Sequence, residues 1–122
     1  MEMWVLGLVA ALAGVGGWIW WRVRPRALGA LSLREGNRLG LEFPVRGRVT
    51  TIGSEEGQTV AVSHPRVSRQ HAVLSVENGE FVLRNRSRNG TQVNGEPVEE
   101  TVLRSGDLIS LAGAVELIFT RY

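Results

Sequence analysis

From Ala27 onward the apolar residues recur at every second position, and turn residues interrupt each run after a few steps. Leu39, Leu41 and Phe43 alternate with polar or small neighbours. So do Ala72, Leu74 and Val76; Phe81 and Leu83; and Val115, Leu117 and Phe119. A period of two places successive side chains on opposite faces of an extended chain, so each run reads as a strand with one face toward a core. Turn signals fall at Glu35–Asn37, Gly47, Gly57, Asn78–Gly79, Asn89–Gly90, Asn94–Gly95, Gly106 and Gly113. Short strands punctuated this often predict an all-β sandwich or barrel. Asn78–Gly79 and Asn94–Gly95 suit two-residue hairpin loops, whose central positions both need positive φ. The first strand is expected over Leu31–Leu33. No stretch beyond Arg26 carries the period of an amphipathic helix.

The first 26 residues follow a different rule. Met3–Trp21 is 19 residues without a charge. As a helix it would span about 28 Å, close to the hydrocarbon thickness of a bilayer. Trp4 stands near one end and Trp18, Trp20 and Trp21 at the other, where indoles favour the membrane interface. Arg22, Arg24 and Arg26 follow, and Pro25 ends the helix. A cleaved signal peptide is the rival reading, with Ala11–Ala13 as its cleavage site. Against it, the leading segment carries Glu2 instead of basic residues, and the apolar run continues past those alanines. The expectation is a single transmembrane anchor over residues 1–26 and a folded domain over residues 27–122. Arginine on the trailing side places the N-terminus outside and the domain in the cytoplasm, at the inner (plasma) membrane. Gly7, Ala10, Ala11, Gly14 and Gly17 share one helical face, which either packs against a second copy or reflects the ordinary composition of an anchor. A linker of about four to six residues separates the helix stop from the first strand.

Charge and composition narrow the function. The chain of 122 residues has no cysteine, two histidines (His64 and His71) and one aspartate, Asp107. Disulfides and thiolate metal sites are excluded, and no cofactor is implied. All 14 basic residues are arginine, yet residues 27–122 hold 11 arginines against 11 acids and are neutral. A nucleic-acid binder concentrates basic charge in its folded domain, so no nucleic-acid partner is expected.

Three loops are chemically richer than the rest. Gly53–Gly57 is a short acidic connection. Pro65–His71 carries Arg66, Ser68, Arg69 and His71. A serine hydroxyl between two guanidiniums can hold an oxyanion, since arginine presents forked donors suited to phosphate. A Ser/His pair without an orienting acid is weak ground for a catalytic triad, and His64 with His71 lacks a third metal ligand. Arg84, Arg86 and Arg88 alternate and would share a strand face. Arg84 and Arg86 read as a solvated basic face, and Arg88 as that or as part of an anion site.

Taken in order, "TIGS" at Thr51–Ser54, "VSRQH" at Val67–His71, "SRNGTQVNG" at Ser87–Gly95 and "LRSGDLISL" at Leu103–Leu111 resemble the forkhead-associated (FHA) domain. The resemblance covers residues 28–122. It implies an eleven-stranded β-sandwich that binds phosphothreonine peptides through loops at one end, and no enzymatic activity. Residue by residue it implies that Ser68 bonds the phosphate, Arg69 lies beside it, and Asn89 bonds the peptide backbone. Arg88 would sit where the family touches phosphate, and Arg66 where it reads residues after the phosphothreonine. Gly53 would permit the tight turn before the phosphate loop, Gly90 the turn after Asn89, and His71 would brace the loops. The family's Gly-Arg is Gly53–Ser54 here. The absent charge-assisted bond is worth about 1.5–3 kcal/mol, or about one to two decades of affinity. Either Arg88, Arg69 or Arg66 compensates, or the domain binds its partner without phosphate through another surface. The resemblance implies a threonine-phosphorylated partner, in kinase signalling or in cell-envelope growth and division.

Overall fold

The computed structural model describes residues 26–122. The anchor expected over Met3–Trp21 and its small-residue face lie outside those residues. Among the described residues no helix is long and apolar enough to cross a membrane.

Among the described residues eleven strands form two sheets, as the family resemblance implied. They are β1 (Ala27–Glu35), β2 (Arg38–Arg46), β3 (Val49–Gly53), β4 (Val60–Ala61), β5 (Ala72–Glu77), β6 (Glu80–Asn85), β7 (Thr91–Val93), β8 (Glu96–Pro97), β9 (Glu100–Leu103), β10 (Leu108–Leu111) and β11 (Val115–Arg121). One sheet runs β2-β1-β11-β10-β7-β8 and the other β4-β3-β5-β6-β9. The inward residues of the alternating runs meet between them: Leu31, Ile52, Leu74, Leu83, Ile109, Leu111, Leu117 and Phe119 are all buried. Phe119 packs on Phe81 with ring centroids 4.8 Å apart and planes tilted by 57°, a favourable aromatic geometry. Asn78 and Asn94 both adopt φ of 52°, each followed by a glycine at positive φ, as their hairpins require.

Two expectations are corrected. The first strand starts at Ala27, not Leu31, so no linker separates Arg26 from the sandwich. Residues 27–30 lack β-branched side chains and do not announce a strand, but tertiary pairing overrides that: Gly29 faces Arg121 and Ala30 faces both Thr120 and Pro44. β11 comes so close that a Cβ on Gly29 would stand 2.4 Å from the Thr120 carbonyl oxygen. The alternation in β2 also overstates burial. Val45 is 1% exposed, but Leu39 and Leu41 are 62% and 66% exposed, because β2 is an edge strand and only its second half covers the core.

Strand directions sort the connections onto two poles. Ile52 pairs with Ala72, Ala72 with Asn85, and Leu111 with Thr91. The segments 54–59, 62–71, 86–90 and 112–114 therefore share one pole. The entry of the chain at Ala27, the Gly47–Arg48 turn and both Asn-Gly hairpins share the other.

Candidate functional site

At the loop-rich pole, Gly53 ends β3 against the backbone of the next loop. A Cβ there would stand 1.9 Å from the Arg69 carbonyl oxygen and 2.7 Å from its carbon, so only glycine fits. That approach lets the Ser54 amide donate to the Ser68 carbonyl (3.0 Å) and the Glu55 amide to the Arg69 carbonyl (3.2 Å). The intervening loop is closed by a reciprocal pair of threonines. The Thr59 amide donates to Thr51 Oγ1 (3.0 Å) and the Thr51 amide to Thr59 Oγ1 (3.3 Å).

His71 is fully buried and joins three segments. Its own amide donates to the Ile52 carbonyl, its Nδ1 accepts from the Ser68 amide (3.0 Å), and its Nε2 lies 2.9 Å from the Gly90 carbonyl oxygen. An acceptor Nδ1 and a carbonyl facing Nε2 define the neutral tautomer with the proton on Nε2. Burial accordingly pushes the imidazole below its ordinary 6.5. The unfolded chain takes up a proton near 6.5 that the folded chain refuses. Stability is therefore level above that pH and falls as the pH drops below it. Melting temperatures measured from pH 8 to pH 5.5 should decline below about 6.5, and His71→Gln should flatten that decline; an unchanged slope in the variant would contradict the role.

The same bonds exclude catalysis by the Ser/His pair. His71 meets the Ser68 amide, not its hydroxyl, and the second ring nitrogen is engaged by Gly90. No ring nitrogen is left to take a proton from the serine. His64, similarly, accepts the Arg66 amide through Nδ1 (3.1 Å).

Ser68 sits half-buried at the centre of this pole. Its Oγ accepts the Arg88 amide at 3.4 Å, which leaves the hydroxyl proton as a donor toward solvent. Asn89 Nδ2 donates to the Arg66 carbonyl (2.8 Å), tying together the two loops that carry the arginines. Arg66, Arg69 and Arg88 are exposed around Ser68. Among the described residues no ion pair engages any of the three. Ser54 lies beside Ser68, and Glu55 and Glu56 follow on the exposed rim. The structure thus brings Ser54, Arg66, Ser68, Arg69, Arg88 and Asn89 to one surface, with Gly53, His71 and Gly90 beneath it.

Arg84 differs from the solvated residue expected. Its register opposite Glu100 on β9 lets it bond that carboxylate, Glu77 and the Ser75 hydroxyl. It holds the Glu77 carboxyl down to about 2. Arg86 remains exposed, with its amide on the His71 carbonyl. The sequence reading missed Asn85. Its Oδ1 accepts from the Ser87 amide (3.0 Å), the Ser87 hydroxyl (2.5 Å) and the Thr91 hydroxyl (2.9 Å), and Ser87 Oγ in turn accepts the Gly90 amide (2.9 Å). An Asn two residues before a serine at a strand end is an Asx-turn signal that would have revealed it.

The FHA domain family matches residues 50–112. The glycogen accumulation regulator GarA of Mycobacterium tuberculosis is 33% identical over 114 residues, covering 93% of this chain and 66% of that protein. The oxoglutarate dehydrogenase inhibitor of Corynebacterium diphtheriae is 34% identical over 96 residues, covering 78% of this chain and 66% of the other. The chain thus spans just under two thirds of these relatives' length. A solved structure described for phosphothreonine-dependent FHA domain interactions superposes with a TM-score of 0.70 at 30% identity, covering 77% of this chain and 96% of that one. The FhaA FHA domain complexed with the intracellular domain of Rv3910 gives 0.68 at 32% identity, covering 75% and 98%.

Proposed function

The chain belongs to the FHA domain family, and on that premise we propose that it is a membrane-anchored adaptor that binds a threonine-phosphorylated protein at the cytoplasmic face of the inner membrane. The observation that carries the reading is the Ser68 hydroxyl among three guanidiniums that, among the described residues, form no ion pair with a carboxylate. Arg84, bound by two acids, shows how this domain treats an arginine used for structure. Ser68 donates to the phosphate, Arg69 and Arg88 supply charge, Asn89 bonds the peptide backbone, and Arg66 meets residues after the phosphothreonine. His71, Gly53 and Gly90 hold the loops. Phosphothreonine-dependent binding in a structure 30% identical, and the regulatory and inhibitory names of the relatives, support a binding regulator. The membrane part of the reading rests on the uncharged run Met3–Trp21 and the three arginines after it. An N-terminal tag should be reachable only from outside intact cells; labelling from the cytoplasm would reverse the topology.

Ser54 favours a second reading, a scaffold that binds its partner without phosphate. Its amide donates to the Ser68 carbonyl, and an arginine at residue 54 would add a charged donor beside Ser68. If phosphate is the ligand, Ser54→Arg tightens a phosphothreonine peptide by about tenfold or more, and Arg88→Ala weakens it by a similar factor. Isothermal titration with one peptide checks both. A Ser54→Arg chain that gains nothing would favour the scaffold, and an indifferent Arg88→Ala would remove Arg88 from the phosphate contacts.

A further inference from the structure

The pole opposite the Ser68 loops carries its own chemistry. Residues 1–25 join the sandwich there, through Arg26 and the start of β1. Arg46 lies directly across from Ala27, Arg121 across from Gly29, and Arg48 in the turn between β2 and β3. Arg26, Arg46 and Arg48 thus gather at the corner made by β2, β1 and β11, joined by Arg121, whose guanidinium lies over the Phe81 ring at 5.3 Å from its centre, and all four are exposed. Arg22 and Arg24 precede them in the chain. Of the acids near this corner, Glu42 on β2 accepts the Tyr122 hydroxyl at 2.9 Å; the other acids of this pole stand on other strands. Glu80 and Glu96 follow the Asn-Gly turns, Asp107 is bonded by Asn94 and the Arg104 amide, and Glu77 is held by Arg84.

We propose that this basic corner seats the domain on an anionic lipid surface and points the Ser68 loops away from the bilayer. The proposal rests on the anchor proposed above, and adds a docking surface and an orientation to it. Clusters of arginine beside a membrane segment are attracted to anionic headgroups, and the attraction falls off within a Debye length of about 10 Å. Strands of five to nine residues separate the poles, a distance of about 15–30 Å at the rise of an extended chain. The phosphate loops therefore lie beyond the reach of the lipid charge. Arg66, Arg69 and Arg88 keep their charge for a peptide, and a dianionic phosphate is not repelled by the headgroups. The reverse orientation would set those three arginines on the lipid and make phosphopeptide and membrane compete. One consequence concerns the partner: a phosphothreonine within a few residues of the partner's own membrane segment cannot reach the loops.

The chain has no cysteine, so single labels can be placed without background. The full chain carrying Val49→Cys (basic pole, 57% exposed) or Glu56→Cys (loop pole) is labelled with a fluorophore. Each is reconstituted in nanodiscs of phosphatidylcholine, with or without phosphatidylglycerol, doped with a headgroup nitroxide quencher. The position-49 label should be quenched severalfold more than the position-56 label in the anionic discs. High salt, Arg48→Gln, or removal of phosphatidylglycerol should shrink that difference. Equal quenching at the two positions, stronger quenching at 56, or a difference indifferent to phosphatidylglycerol and salt would overturn the proposal while leaving the anchor intact. A chain that fails to co-elute with either disc would overturn the anchor and this orientation together.

Discussion

Replacing Gly53 with alanine should cost this domain more than any exposed substitution, on the order of 3 kcal/mol, the upper end of ordinary point mutations. The added methyl group would overlap the Arg69 carbonyl, at 1.9 Å from its oxygen. Both atoms are held by backbone, so neither can rotate away. Relief requires moving β3 from the Pro65–His71 loop, which breaks the bonds from Ser54 and Glu55 to Ser68 and Arg69. For a domain of this size the melting temperature should fall by roughly 10–20 °C. Gly57→Ala is a useful comparison: its φ of 97° is strained for alanine, but a Cβ there meets nothing within 4 Å. A smaller loss is expected for it, on the order of 1 kcal/mol. Thermal unfolding of the two variants side by side checks the argument, and equal losses would contradict the close-approach explanation.

Ser68→Ala should do the opposite. The hydroxyl accepts one long bond, 3.4 Å from the Arg88 amide, and its residue is half-exposed. Its removal should change the melting temperature by no more than a few degrees, since a weak exposed bond contributes at most about 1 kcal/mol. Binding of a phosphothreonine peptide should weaken by about ten- to a hundredfold, the value of a hydrogen bond to a charged group. The separation of the two readouts is the point of the variant. A large loss of stability would make Ser68 a structural residue, and unchanged affinity would place the phosphate elsewhere.

Comparing the two positions shows what could be read from the chain alone. The alternation at Ala72–Val76 and Val115–Phe119 made strands with their apolar faces inward, and Asn78–Gly79 and Asn94–Gly95 made hairpins with the required positive φ. These are local properties, carried by residues adjacent in sequence. Features set by partners distant in sequence were not legible. Ala27–Ala30 became strand because β2 and β11 flank it. Leu39 and Leu41 stayed exposed because β2 is an edge. Arg84 looked like a solvated cation because nothing nearby in the chain announces Glu100, sixteen positions away and opposite in register. The gathering of Ser54, Ser68, Arg88 and Asn89 on one surface followed from family resemblance, since the residues span three loops. The two bonds of His71 account for why those loops hold together, and the motif by itself does not state them.

The central claim is that the Ser68 pole reads phosphate despite the serine at position 54. Its most direct measurement is a calorimetric titration of the full chain, in mild detergent, with three peptides of one sequence bearing phosphothreonine, phosphoserine or threonine. The account predicts measurable binding to the phosphothreonine peptide, weaker binding to phosphoserine, and none to threonine over the same range. Equal affinity for all three would contradict it and leave the phosphate-independent scaffold as the function of this domain.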